Sequence, residues 1–241
     1  MSQVWDNYSE RLQTSNNKAR SQSQLFNREF YSRHIPNSLA YKEVRINGFR
    51  TEIAVIDSTE MSVKKIYSMP GKTLEHGGLV QWENSIWLIT EVDKHAEIYT
   101  KGKMTRCNYL LKWIDRSDDN AIQKECWCVV TDTSALLGEE QKQMMTVGDA
   151  RTTLTIPKND DTRKFTRGMR FIIDDPDTDK PLAYEITKPI RLHNVYDKKG
   201  VYKFLLHEVN TTDQDNLDLL IADYYITDFS SGSIQENEVW L

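Results

Sequence analysis

The chain has 241 residues and a formal net charge of −5. This length accommodates one or two domains, either of which can bury a core. The negative charge argues against a general nucleic-acid-binding protein, because such proteins usually present a basic face. No run of about 18 apolar residues is present, so the sequence predicts no membrane-spanning helix, and the polar N-terminus predicts no signal peptide.

The first 36 residues are predicted to form a helical arm that ends at Pro36. A polar segment, TSNNKARSQSQ, separates its two apolar stripes. The stripes have helical spacing and consist of Val4, Trp5 and Tyr8, then Phe26 and Phe30. Such a helix buries little surface on its own domain. We expect these five residues to bind a partner, with a mobile terminus as the alternative.

Residues 37–131 are predicted to form a first β-module. Its clearest element is the hairpin YKEVRINGFRTEIAVI, in which Asn47-Gly48 is the preferred pair for a type I′ turn. The stretch 78–113 predicts three or four antiparallel strands that close one side of a small barrel. Its large aromatic residues are expected to share one buried core, and they are Trp82, Trp87, Tyr109 and Trp113.

A polar segment at 132–143, interrupted by Gly138, is the predicted linker. Residues 144–228 then predict a second β-module, and residues 229–241 a C-terminal tail. The tail ends in Trp240-Leu241, which fits either a docking peptide or a strand on the core. The fold class is therefore mainly β, with two small antiparallel barrel or sandwich modules behind the arm.

The two modules show a weak internal match. Pro70 and Gly78 correspond to Pro157 and Gly168, and the Trp87–Thr90 string WLIT corresponds to YEIT at 184–187. Lys101-Gly102 corresponds to Lys199-Gly200, and Tyr109–Leu111 corresponds to Phe204–Leu206. Because few residues are identical, the match depends on spacing. Both a duplication and a chance similarity of two small sheets remain open.

No set of residues with catalytic spacing is present, so no catalytic or cofactor-binding residue is predicted. The chain lacks a glycine-rich phosphate loop and the G-x-S-x-G and H-E-x-x-H motifs, and its five histidines are scattered. The three cysteines (Cys107, Cys126 and Cys128) fit buried thiols in a reduced setting better than a zinc site, since C-x-C is an unusual spacing. The acidic loop 174–179 lacks the glycine and glutamate of an EF-hand and fits a hairpin tip better than calcium. No metal site is therefore predicted.

Several strings, taken in order, resemble a family of structural proteins of tailed bacteriophages that infect Gram-positive bacteria. Besides the N-terminal helix, they are KEVRINGFRTEIAVI (42–56), W-x₄-W-L-I-T-E-V (82–92), I-Y-x-K-G (98–102), C-N-x-x-L-K-W (107–113) and DNLDLLIAD (215–223). The resemblance implies a head–tail connector, or neck protein, that forms a homo-oligomeric ring between the portal and the tail. The expected partners are the portal and neighbouring neck or tail proteins, with DNA only as passing cargo and no membrane. It also implies synthesis in the host cytoplasm, incorporation into the virion and no enzymatic activity.

Three alternatives remain open. The chain could occupy another capsid or tail position in the virion. It could also be a soluble β-barrel module that binds a peptide or glycan, or an enzyme with an unrecognised site, which would need a deep pocket with converging titratable groups.

Overall fold

The computed structural model describes residues 21, 23–95, 98–116, 121–132, 151–196 and 198–225. The protein is mainly β, with strands in 51% of the chain and one short N-terminal helix, so the predicted fold class is confirmed. The helix α1 covers residues 23–34. The strands are β1 (Tyr41–Ile46), β2 (Phe49–Asp57), β3 (Val63–Ser68), β4 (Leu79–Trp82), β5 (Ser85–Asp93), β6 (Lys101–Arg106), β7 (Tyr109–Asp115), β8 (Ile122–Asp132), β9 (Arg151–Pro157), β10 (Arg170–Ile172), β11 (Ala183–Ile190), β12 (Val195–Tyr196) and β13 (Lys199–Val209).

Strands β1 to β6 form a closed antiparallel barrel, barrel 1, in the order β1-β2-β3-β6-β5-β4. It closes where β4 pairs with β1, through Ile46 and Val80. The turn between β1 and β2 has positive φ at both Asn47 (49°) and Gly48 (83°), which is the requirement of the predicted type I′ turn. The register of the hairpin is therefore fixed by two residues whose backbones tolerate that conformation.

The core of barrel 1 is filled from inside and from one end. Strand residues such as Ile53, Ile66 and Ile89 are fully buried, and Leu74 enters from the loop before β4. A methyl group on Gly102 would lie 2.8 Å from the Glu91 carbonyl oxygen and 3.3 Å from Leu74. Glycine is needed there because the Glu91 carbonyl oxygen, and behind it Leu74, occupy the space of a side chain.

Strands β7 to β13 form a second, nearly closed barrel, barrel 2, in the order β7-β8-β9-β13-β11-β10, with β12 paired to β13. The hydroxyl of Tyr109 on β7 donates to the carbonyl of Ile172 on β10 at 3.0 Å. Burial raises the pKa of Tyr109 to about 12, so the hydroxyl keeps its proton for this bond. A side chain thus joins the two strands that the backbone leaves unpaired.

Barrel 2 has its own aromatic core. Phe165 is fully buried at its centre and contacts Trp113 (5.0 Å between ring centroids), Phe171 (5.0 Å) and Phe204 (5.6 Å). The expected single core for the four aromatic residues is therefore wrong. Trp82 and Trp87 belong to the core of barrel 1, whereas Tyr109 and Trp113 belong to that of barrel 2. Trp87 and Trp113 are nevertheless buried, as expected.

The division between the barrels also differs from the predicted modules. The hairpin β7–β8 belongs to barrel 2, so the chain passes from one barrel to the next at Cys107-Asn108. The Asn108 side chain donates to Val130 O and accepts from Val130 N, both at 2.8 Å, and so extends the β7–β8 ladder by one pair. Of the predicted linker 132–143, only Asp132 is described. It pairs with Thr152, which means that residues 133–150 connect two neighbouring strands of one sheet.

The two barrels are a structural repeat. Both have six main strands in the same circular order, with β7 to β11 and β13 taking the places of β1 to β6. In both, a glycine with positive φ, Gly77 or Gly168, donates its N–H at 2.9 Å to the carbonyl of Ile89 or Ile186. Leu74 and Phe165 are buried loop residues that fill the two cores, and they are here called the plug residues. Each lies three positions before that glycine.

A shared β-bulge extends this equivalence. Pairing shifts after Ile89 in β5 and after Ile186 in β11. The next residue in each strand, Thr90 or Thr187, donates its hydroxyl to a carbonyl of the neighbouring strand, at 3.5 and 2.9 Å. The predicted match of 87–90 with 184–187 is therefore confirmed.

The other three matches are wrong. Gly168 is equivalent to Gly77 and not to Gly78, so the match of Pro70 and Gly78 with Pro157 and Gly168 is out of register. Tyr109 lies on β7, whereas Phe204 lies on β13. Opposite the two bulges, Ile89 faces Met104 and Ile186 faces Leu206. Counting back from these partners places Lys101 level with Lys203, so Lys101-Gly102 is not equivalent to Lys199-Gly200.

The barrels dock through an apolar junction. Barrel 1 contributes the outer side of β4–β5 and Cys107, and barrel 2 contributes the outer side of β8 and the start of β13. The residues are Leu79, Ile86, Leu88, Cys107, Val129 and Val201. At one end, Lys199 pairs with Glu75, and a methyl group on Gly77 would lie 2.0 Å from the Gly200 carbonyl oxygen. The close backbone approach and the buried cluster hold the barrels as one unit.

Candidate interaction surfaces

One side of helix α1 carries an exposed aromatic stripe, which comprises Phe26, Phe30 and His34. Phe26 stacks on Phe30 (6.5 Å between centroids), and Phe30 stacks on His34 (3.9 Å). The His34 Nδ1 also donates to the Phe30 carbonyl at 2.8 Å. Phe26 is 68% exposed and Phe30 44% exposed, which is unusual for side chains of this size. The stripe is thus preorganised within the helix and open to solvent.

The adjoining side of α1 docks on barrel 1, and its residue Tyr31 also packs edge-on against Phe30 of the stripe (5.7 Å). Tyr31 packs edge-on against Tyr99 (5.5 Å), which packs edge-on against Tyr67 of β3 (5.4 Å). The Arg28 guanidinium lies over Gly71, where it occupies the space of a side chain. Tyr31 was not predicted from the sequence, because the residues three and four positions before it on the helix, Arg28 and Asn27, are polar and form no apolar stripe with it.

The structure describes two of the seven predicted partner-binding residues. Phe26 and Phe30 lie side by side in the aromatic stripe. The other five are outside the described residues, namely Val4, Trp5, Tyr8, Trp240 and Leu241. That all seven contact a partner stays a prediction.

A second surface is an open groove on the outside of barrel 1, here called the lysine groove. Its lining comes from β3, β5 and β6 and consists of Lys65, Tyr67, Glu91, Val92, Asp93, Lys101, Gly102 and Lys103. Lys65 and Lys103 are direct cross-strand partners, an arrangement that is unfavourable for like charges. Glu91 pairs with Lys103 at 2.8 Å, and Lys101 lies 5.9 Å from the Tyr99 ring centroid. Among the described residues, no carboxylate forms an ion pair with Lys65 or Lys101, although Asp93 is the direct cross-strand partner of Lys101.

The C-terminal segment 210–225, here called the latch, is fastened to barrel 2 by Arg170. Its guanidinium donates to both carboxylate oxygens of Asp215 (3.1 and 2.8 Å) and to Asp223 (2.7 Å). The Asp215 side chain is fully buried and also accepts from the backbone N–H groups of Thr212 (2.7 Å) and Asp223 (2.8 Å). Burial alone would raise the pKa of Asp215, but these hydrogen bonds outweigh it and hold the pKa below its usual value.

The surroundings of the cysteines and of the acidic loop 174–179 indicate structural roles. Burial raises the pKa of Cys107 and Cys126 to about 12, with a smaller contribution from the Cys126 thiol for Cys107 and from Asp161 for Cys126, so both thiols are neutral near pH 7. Asp174 accepts from the backbone N–H groups of Asp175 (2.8 Å) and Leu182 (2.9 Å), which makes it a turn-capping residue. In the described part of the chain, no group of three His, Cys, Asp or Glu residues could hold a metal ion.

Two further findings bear on function. No helix within the described ranges is long and apolar enough to cross a membrane. Comparison with known proteins found no matching family model, no matching curated protein and no matching solved structure.

Proposed function

We propose that the chain is a non-enzymatic bacteriophage virion protein, a head–tail connector subunit that forms a ring between the portal and the tail. The observation that carries this proposal is the aromatic stripe, a preformed apolar surface on a helix at the margin of a rigid double barrel. Its own barrel leaves Phe26 and Phe30 largely uncovered. Docking on a partner would remove that area from water at about 25 cal/mol per Å².

The ordered resemblance to phage structural proteins supports the choice of partner. The resembling strings supply strands of both barrels, the crossing at Cys107-Asn108 and the latch. These are the parts that build a rigid body, as a ring subunit requires. The partners proposed for the stripe are the portal and the adjacent neck or tail proteins. On this proposal the chain is made in the host cytoplasm and becomes part of the virion.

The charge of the chain fits passage of DNA without retention. At −5, a ring of such subunits repels the phosphate backbone overall, whereas tight DNA binding requires clusters of lysine and arginine. DNA is thus cargo on this proposal, and another capsid or tail position has the same requirement.

A second candidate is a β-barrel module that binds an anionic peptide or glycan. The lysine groove favours it, since Lys65 and Lys101 form no ion pair with a carboxylate among the described residues. The connector proposal has the stronger support, because an open, exposed groove encloses a small ligand poorly.

The test mixes the purified chain with its phage portal ring and counts decorated rings in negative-stain images. The variant Phe26→Ser with Phe30→Ser should lose decoration. Leu39→Ser with Met61→Ser is the matched control, since it removes two side chains that are 97% and 92% exposed elsewhere on barrel 1. Decoration that is equal for the wild type and the stripe variant would contradict the proposal. Loss in the control as well would deny the stripe a specific role.

A further inference from the structure

The junction between the barrels joins two different faces. Barrel 1 uses its trailing face, the outer side of β4–β5 with Leu79, Ile86 and Leu88. Barrel 2 uses its leading face, the outer side of β8 and β13 with Val129 and Val201. Because the barrels are a structural repeat, each barrel has both faces. The junction uses one face of each, so the leading face of barrel 1 and the trailing face of barrel 2 lie outside it.

The remaining trailing face belongs to barrel 2, and the latch covers it. Strand pairing places Arg170, Ala183 and Glu185 at the positions of Leu79, Ile86 and Leu88. Ala183 packs against Ala222 of the latch, and Arg170 forms ion pairs with Asp215 and Asp223 of the latch. The latch therefore occupies the place on barrel 2 that barrel 2 itself occupies on barrel 1.

The remaining leading face belongs to barrel 1. Met104 and Leu206 are equivalent, because they face the equivalent residues Ile89 and Ile186. Tyr99 and Val201 each lie five positions before them, so Tyr99 takes the position of Val201. Tyr31 of α1 covers Tyr99. Beside it, the lysine groove stays uncovered within the described part of the chain.

The two ends carry opposite charge. The latch has four aspartates and no lysine or arginine, and Asp213 and Asp218 are exposed. On the leading face, Lys65 and Lys101 are exposed and form no ion pair with a carboxylate among the described residues. Complementary charge of this kind steers association and fixes its orientation.

We infer that copies of the chain associate head to tail, with the lysine groove of one copy receiving the acidic latch of the next. The contact between chains thus repeats the arrangement within one chain, in which a trailing face meets a leading face. Two different surfaces meet, so the association is heterologous and yields a closed ring or an open filament. This inference deepens the ring-subunit proposal and rests on it for its biological setting, but it concerns the purified chain alone.

Charge reversal on each side tests the pairing. The groove variant Lys65→Glu with Lys101→Glu and the latch variant Asp213→Lys with Asp218→Lys each make both ends of the chain alike. Sedimentation velocity at low salt should show association of the wild type and at least a tenfold weaker association of each variant alone. An equimolar mixture of the two variants should recover it, because each altered end then meets an opposite charge. Added salt should weaken the wild-type association.

Arg163→Glu with Arg167→Glu is the matched control. It changes the net charge as much as the groove variant, at exposed residues of the loop before β10, and should associate like the wild type. A wild type that stays monomeric at its highest soluble concentration would overturn the inference, as would a closed symmetric dimer or a mixture that fails to recover association. Portal decoration that survives such a result would leave the connector proposal standing.

Discussion

The two barrels use one backbone plan with different core chemistry. At one pair of equivalent positions, barrel 1 combines Leu74 with Gly102, and barrel 2 combines Phe165 with Phe204. The small residue in barrel 1 makes room for its plug, whereas barrel 2 stacks two aromatic rings in the same region. The backbone features, namely the glycine turn and the threonine bulge, are the same in both. This indicates that the plan depends on a few special backbone positions and tolerates wide repacking of the core.

Removing the plugs should produce the largest effects. Phe165→Ala should lower the free energy of unfolding by about 3–5 kcal/mol, because it leaves a cavity at the centre of three aromatic contacts. Leu74→Ala should cost about 2–4 kcal/mol by the same mechanism. Urea unfolding followed by tryptophan fluorescence measures both. Exposed Phe49→Ala is the control, and a loss below about 0.5 kcal/mol for Phe165→Ala would show that the ring does not support the core.

The equivalent glycines should differ in a way that isolates the junction. Gly168→Ala should cost about 1–2 kcal/mol, since φ is positive and nothing lies within 4 Å of the added carbon. Gly77→Ala should cost more, because the carbon also meets the Gly200 carbonyl at 2.0 Å. Thermal unfolding measures the difference. Equal losses would indicate that the close approach of the barrels contributes nothing.

Acid should act on barrel 2 before barrel 1, because the Asp215 latch has no counterpart in barrel 1. The folded-state pKa of Asp215 is lowered, so its contribution is present above the unfolded value of about 3.9 and is lost as pH falls below it towards the folded pKa. The protection factors of the amides in residues 210–225, calculated against the intrinsic exchange rate at each pH, should therefore fall in that range. In Asp215→Asn these protection factors should already be low at pH 7 and should lose most of their pH dependence. Protection that is unchanged from pH 7 to pH 2 would contradict the role of Asp215.

Removing the arm should have the smallest effect on stability. A chain that begins at residue 35 loses the Tyr31–Tyr99 and Arg28–Gly71 contacts, both on the surface of barrel 1, so its melting temperature should shift by at most about 2 °C. Portal decoration should nevertheless disappear. A truncated chain that unfolds would assign the arm to the core, and one that still decorates portals would make the arm dispensable.

Local signals predicted much of the fold. Asn47-Gly48 identified a turn, and the apolar pattern of β5 predicted the burial of Trp87. The match of Thr90 with Thr187 found a position where both barrels make the same side-chain hydrogen bond. The large aromatic residues of the stretch 78–113 predicted the burial of Trp113 on β7, but they contain no information about which barrel that strand joins. That strand was therefore placed in the wrong module.

The candidate surfaces were harder to predict. Phe26 and Phe30 were found because one helix carries both at a spacing of four. The lysine groove combines three strands, and Arg170 meets Asp215 across 45 positions of sequence. Such sets assemble only through register, which no single stretch of sequence determines.

The extra length of β13 has a geometric consequence. Its counterpart β6 begins at Lys101, level with Lys203, so the four residues from Lys199 to Tyr202 extend β13 by about 13 Å. This extension reaches the loop of barrel 1, where Tyr196 of the adjoining β12 stacks on His76. It therefore holds part of barrel 2 against the loop before β4 of barrel 1. An insertion or deletion in the β12–β13 hairpin should disturb the contact between the barrels before it disturbs either core.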